Sequence, residues 1–229
     1  MGDRSKTTGE DRLSPSAFVS ALAEENRAAI ERIGRLSRAG EPAETLTVAR
    51  LLQVALKNEF EASELAAIWM ASTPELDVKL ALARQAGDEA KHYRLLAERL
   101  TALGVDAERV DPREGGYSSL FGYLRSLGGT VARVTAGQFT REGIALVRNQ
   151  CFIEFCEARG DEATAALYRD VIQPDEQHHH DLGRRLLERY AVTQDDMNRA
   201  REAARRTIEL AEEIQEMARM KGIVRAPGC

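Results

Sequence analysis

Cysteine and histidine are both scarce in this chain. The cysteines are Cys151, Cys156 and Cys229, and the histidines are His92, His178, His179 and His180. No CxxC pair occurs, which excludes a zinc ribbon or a rubredoxin-type iron site. Cys151 and Cys156 fall in one helical run on well-separated faces, so no disulfide is expected between them, and the usage fits a reducing cytoplasm. No stretch of 18 apolar residues exists to span a membrane, and Met1 to Arg12 lacks the apolar core of a signal peptide. A basic excess is missing too. The net charge is -5 with both signs interspersed, which leaves no nucleic-acid footprint, and the Arg201 to Arg206 stretch contains Glu202 and suits a solvated helix face. Strict apolar–polar alternation with β-branched residues is absent, so no sheet is expected.

What remains is rich in Ala, Leu, Glu and Arg, the composition of a helical protein. Residues 1–12 are expected to form a disordered tail, 13–222 a single helical domain and 223–229 a flexible C-terminus. Ser14-Pro15 opens a first helix, which stops near Gly40-Glu41-Pro42. A second helix is predicted over about 44–72, and a third runs from a Thr73-Pro74 cap to about Gly104. Residues 104–128 are loop-like, with a short helix around 120–127. A fourth helix spans about 130–158 and a fifth about 162–190, interrupted by Pro174, which is expected to kink it. A last helix starts at Thr193 and ends near Gly222. The four central helices form two short-turned hairpins joined by one long connection. That wiring predicts an all-α, ferritin-like four-helix bundle with additional N- and C-terminal helices.

Two of the four histidines follow a glutamate by three positions: Glu89-Ala-Lys-His92 and Glu176-Gln-His-His179. On a helix such pairs share a face, so each presents a carboxylate and an imidazole to one point. A two-metal bundle site needs this twice, plus one glutamate from each remaining helix. Glu89 lies about 15 residues past the Pro74 turn, and counting back the same height selects Glu59, on a stripe with Leu52, Leu56 and Ala66. Glu61 is the reserve candidate. Glu176 lies about 15 residues past Gly160, and counting back selects Glu142, whereas Glu154 and Glu157 sit too near the turn. The expected metal ligands are therefore Glu59, Glu89, His92, Glu142, Glu176 and His179. His178 and His180 are expected to be solvated, Trp69 and Tyr93 to be core residues, and Cys156 to be a buried thiol.

The pattern E-x28-DEAKH followed by E-x32-DEQHH resembles the ferritin-like di-iron carboxylate superfamily over residues 45–190. The doubled motif is similar to that of di-iron monooxygenases and ribonucleotide reductase small subunits. Lys91 and His178 stand where Arg is usual there, and the shorter spacer with the Ala-Arg-Gly-Asp-Glu turn is more similar to rubrerythrin. The resemblance implies that Asp88 and Asp175, each preceding a motif glutamate, hold the ring N–H of a ligand histidine: Asp175 that of His92, and Asp88 that of His179. It further implies two Fe ions, with Mn as the alternative, because mixed carboxylate and imidazole ligands suit either. The implied activity is a cytoplasmic di-iron oxidoreductase that activates dioxygen to oxidise or hydroxylate a small organic substrate. Its expected partners are that substrate, dioxygen, an external electron donor and a second copy of the chain as a homodimer. The alternatives are a ferritin- or rubrerythrin-like iron-handling or peroxide-scavenging protein and, more remotely, a tRNA-modifying hydroxylase.

Overall fold

A computed structural model describes residues 13–38, 46–220 and 227–228. The expected tail over 1–12, the Gly40-Glu41-Pro42 stop and residues 221–226 lie outside them. The described residues are helical, with no strand among them. The helices are α1 (Pro15–Arg38), α2 (Val48–Ser72), α3 (Leu76–Ala102), α4 (Ser119–Ser126), α5 (Thr130–Val134), α6 (Glu142–Glu157), α7 (Glu162–Leu167), α8 (Gln173–Tyr190) and α9 (Gln194–Met220). Two π-helical segments fuse four of these into two rods. Thr135–Arg141 joins α5 to α6, and Tyr168–Ile172 joins α7 to α8.

The ends are set by local chemistry. Thr47 caps α2 by accepting from the Arg50 amide at 3.2 Å, and Asp161 caps α7 by accepting from the Thr164 amide at 3.0 Å. Thr193 and Asp196 bond each other's backbone amides at the start of α9, a reciprocal capping box. Thr73 does not open α3 as expected. It ends α2, its hydroxyl donating to the Trp69 carbonyl at 2.8 Å, and α3 starts after Glu75.

Helices α2 and α3 pack along each other, as do the α5–α6 and α7–α8 rods, and α3 meets α8 to join the hairpins into a bundle. Helix α1 lies against α6, α8 and α9, while α9 covers the first π segment, α5 and α4. The core has two main apolar layers. One gathers Phe18, Leu65, Trp69, Leu82, Phe121, Phe139 and Leu187. The other gathers Leu52, Leu56, Leu96, Leu100, Phe152, Tyr168 and Ile172. On each central helix the two layers leave a gap, and the candidate glutamates and histidines fall in it.

Neither π segment was legible in the sequence. The second ends just before Pro174, where a regular α-helix would clash with the proline ring and lose a hydrogen bond, so the wider turn falls where the interruption was expected. The first presses against α8: a Cβ at Gly183 would lie 2.8 Å from both the Gln138 carbonyl carbon and the Phe139 nitrogen. Backbone cannot yield to that contact cheaply. Gly183→Ala should therefore destabilise the bundle by about 1–3 kcal/mol, read from the midpoint of urea denaturation. An unchanged midpoint would show that the rods part without cost.

Candidate metal centre

Glu59 on α2, Glu89 and His92 on α3, Glu142 at the head of α6, and Glu176 and His179 on α8 converge between the apolar layers. Their exposures are 4%, 1%, 0%, 1%, 3% and 1%. They form two overlapping groups, each spaced to hold a metal ion. Glu59, Glu89, His92 and Glu176 make one, and Glu89, Glu142, Glu176 and His179 make the other. Within each group the ligand atoms lie within 4.8 Å of one another. Glu89 and Glu176 belong to both.

Both histidines turn Nδ1 to the cluster. His92 Nδ1 is 3.3 Å from Glu89 Oε2 and 3.4 Å from Glu59 Oε2. His179 Nδ1 is 3.2 Å from Glu176 Oε2 and 3.7 Å from Glu89 Oε1. On the far side, His92 Nε2 meets Asp175 Oδ2 at 3.1 Å and His179 Nε2 meets Asp88 Oδ2 at 3.1 Å. Each aspartate therefore reaches across to the other half of the cluster. An aspartate in that place accepts a hydrogen bond from Nε2–H, which keeps the proton there and leaves Nδ1 as a lone-pair donor toward a metal. Cations hold the aspartates from outside: Lys91 Nζ lies 2.5 Å from Asp175, and Arg84 Nε lies 3.2 Å from Asp88. Lys91 thus has a part in the site, although it departs from the arginine of the related motif.

The electrostatics are those of charge packed away from water. Burial pushes the Glu59 carboxyl up to about 7 and raises Glu142. Burial also raises Glu176 well above its ordinary value, and the charges of Glu89 and Glu142 add to the effect. Glu89 is the exception. Burial pulls it up, but the bond from His92 and the charges of His179, His92 and Arg141 outweigh that and hold it low. Burial disfavours charge on the histidines, yet Glu59 and Glu89 raise His92 to about 12, and Glu176, Glu89 and Glu142 raise His179 to about 10. Against burial, Lys91 and His92 hold Asp175 below its usual range. Without a cation, burial favours the protonated form of three of the four carboxyls.

Several neighbours were not anticipated from the sequence. Buried Gln85, one turn before Glu89 and on its face, donates from Nε2 to Glu142 Oε1 at 2.7 Å. Arg141, 7% exposed, places Nη1 3.9 Å from the same oxygen. Tyr168 is fully buried, and among the described residues its hydroxyl has no hydrogen-bond partner; burial raises its pKa well above the ordinary value, and the charges of Glu59 and Glu176 add to the shift. Pro227 and Gly228 fall inside the stretch expected to be flexible, but both are buried. The Gly228 amide donates to Asn149 Oδ1 at 2.8 Å, and Asn58 Nδ2 donates to the Pro227 carbonyl at 3.0 Å. A Cβ at Gly228 would lie 3.8 Å from Glu59 Oε1, so this segment covers the Glu59 side of the cluster.

Other expectations resolve as follows. Glu61 is buried but committed elsewhere, accepting from the Ser118 amide at 2.9 Å and hydroxyl at 2.6 Å at the start of α4. Trp69 is a core residue stacked over Gly137. Cys151 and Cys156 are buried thiols outside any disulfide among the described residues, and burial pushes Cys156 up to about 12. His178 is partly exposed. His180 corrects the expectation of a solvated ring: it is partly buried, stacks on Phe139 with ring centroids 5.0 Å apart, and meets the Phe139 carbonyl through Nδ1 at 2.7 Å. Alpha-helical spacing alone hid this, because the π segment brings Phe139 under it.

No protein-family model matches the chain, and no curated protein is similar to it at a significant level.

Metal binding must displace the protons that the empty cluster holds. Uptake of Mn(II) or Fe(II) should release protons into weakly buffered solution, and apparent affinity should rise with pH. The steepest loss is expected below about 7, where Glu59 keeps its proton. Affinity independent of pH would be incompatible with these residues as ligands. Asp88→Asn and Asp175→Asn keep shape but remove the anion behind each imidazole. Each should weaken metal affinity by about 10–100-fold with helical content unchanged, as measured by competition with a chelating dye.

Proposed function

We propose that this chain is a two-metal oxidoreductase, with iron as the metal and manganese as the alternative, that uses dioxygen to oxidise or hydroxylate a small organic molecule. The observation that carries this reading is the mirrored pair of ligand groups sharing Glu89 and Glu176, each backed by an aspartate from the opposite half. Four buried carboxylates need cations close by, and two divalent ions with these ligands suit the charge and the donor chemistry. Calcium would demand more oxygen ligands, and a structural zinc site is most often built with sulfur.

Glu59 and Glu142 would each serve one metal, Glu89 and Glu176 both, and the histidines would bind through Nδ1. Bound iron would supply redox equivalents and Lewis acidity. The residues here would hold geometry and exclude water through the apolar layers on either side. Gln85 can donate a hydrogen bond to Glu142 as that carboxylate changes its load. Absence of a CxxC pair in the sequence leaves the reductant to an external donor. The Asp-Glu pairs favour an enzyme over an iron-handling protein, because an anchored imidazole tunes redox behaviour as well as affinity.

The test is anaerobic loading with Fe(II). About two ions per chain should bind, and admitting oxygen should change the optical spectrum. Fewer than about one ion per chain would end the two-metal reading. Glu89→Ala should lose the metal and the oxygen response while the bundle still folds. Glu176→Gln gives an independent readout. It should raise the stability of the metal-free protein by on the order of 1 kcal/mol, because a raised, buried carboxyl is removed, and should abolish the further gain that metal brings.

A further inference from the structure

A second cavity lies outside the cluster, between α1 and the outer wall of the bundle. It encloses about 370 Å³, room for about a dozen waters at ~30 Å³ each and within the range of small-molecule sites. Ala23, Ile30, Phe139, Leu146 and Val147 give it an apolar body. Seven of its thirteen lining residues are polar or charged, and two of them carry a buried atom that lacks a partner. Asn26 is 8% exposed and Thr140 1% exposed, yet Asn26 Nδ2 and Thr140 Oγ1 have no hydrogen-bond partner among the described residues. Buried polar groups left unpaired in a folded protein call for an explanation. His180 offers a further polar atom of another kind. A carbonyl oxygen only accepts, so the Nδ1 that faces Phe139 O at 2.7 Å must carry the proton. Nε2 is then a lone-pair acceptor, and among the described residues nothing donates to it.

Charge narrows the occupant. The cation at the rim, Arg27, is committed to Glu24 at 2.7 Å and Glu31 at 3.3 Å, both also at the rim. An anion would meet those two carboxylates at the rim. The wall also adjoins the centre along the chain: Thr140 and Gly143 bracket Glu142, and His180 follows His179.

We propose that this cavity is a binding site for a compact, uncharged organic molecule with a hydrocarbon body and one hydroxyl-type group. The hydroxyl donates to His180 Nε2 and accepts from the Asn26 amide, while the body lies against Phe139, Ile30 and Val147. The occupant rests on the same helical turns that present Glu142 and His179. The site does not depend on the metal-centre reading, and the two can fail separately.

The test uses 2-naphthol, followed by its own fluorescence, on the full-length protein as purified, with naphthalene and 2-naphthoate as comparisons. The alcohol should bind at one site per chain. Naphthalene should bind about fivefold or more weakly, the factor for one lost hydrogen bond, and naphthoate more weakly still. Asn26→Leu and His180→Phe should each bring the alcohol toward the level of the hydrocarbon. Ala23→Trp fills the cavity from α1 and should abolish binding; Ile30→Trp does the same from about two turns further along the helix should that variant fail to fold. Glu142→Ala, which loses metal under the reading above, should keep the alcohol bound. Absent binding, binding that survives both filling variants, or equal affinity for all three probes would each overturn the proposal.

Discussion

Burying four carboxylates in the middle of a helical bundle is the constraint to which the rest of this structure answers. Each would cost several kcal/mol if left charged and alone, and all four are buried from the bulk solvent. The polar layer lies between two apolar ones, so its charge must be met locally. Two imidazoles, Gln85 and Arg141 meet part of it from inside, and burial pushes the carboxyls of Glu59, Glu142 and Glu176 toward their protonated forms. Divalent cations would meet it better, because they replace several protons at once and bind the same lone pairs.

That demand propagates outward. Each histidine needs its outer nitrogen anchored if its inner one is to stay a donor, and Asp88 and Asp175 provide the anchor from the opposite helix. Those aspartates sit near the surface and are held there by Arg84 and Lys91. A line of alternating charge therefore runs from the bundle face to its centre, twice. The crossing tethers α3 to α8, and so one hairpin to the other, at the level of the cluster. The π segments serve the same layer. One ends at Arg141, next to Glu142, and the other ends four residues before Glu176, so each rod changes its turn just before it delivers a carboxylate.

Elements outside the four-helix frame complete the enclosure. The Pro227-Gly228 segment, tied to Asn58 and Asn149, closes the Glu59 side. Helix α1 covers the opposite rod, but loosely enough to leave a cavity floored by Phe139, Thr140 and Gly143. The two coverings differ in kind: one is a backbone hydrogen-bonded to buried amides, the other a helix standing off the wall.

The helical architecture, the two hairpins and the six residues that meet at the centre were legible in the sequence. Helical spacing is local and periodic. Glu89 and His92, or Glu176 and His179, must share a face wherever the helices go, and equal distances from two tight turns put Glu59 and Glu142 at their height. Glu61 shows where that logic thins: two residues from Glu59 and also buried, it lies on another face of α2, where it meets the start of α4. The π segments were hidden because a single wider turn leaves no mark in apolar periodicity. His180, Arg141 and Gln85 acquired their partners through those turns or through another helix, and Pro227 and Gly228 did so through a contact with residues far back in the chain. Spacing along one helix could be counted from the residues alone. Which side chains pair across helices depends on how the rods are turned against each other, and packing of the whole bundle decided that.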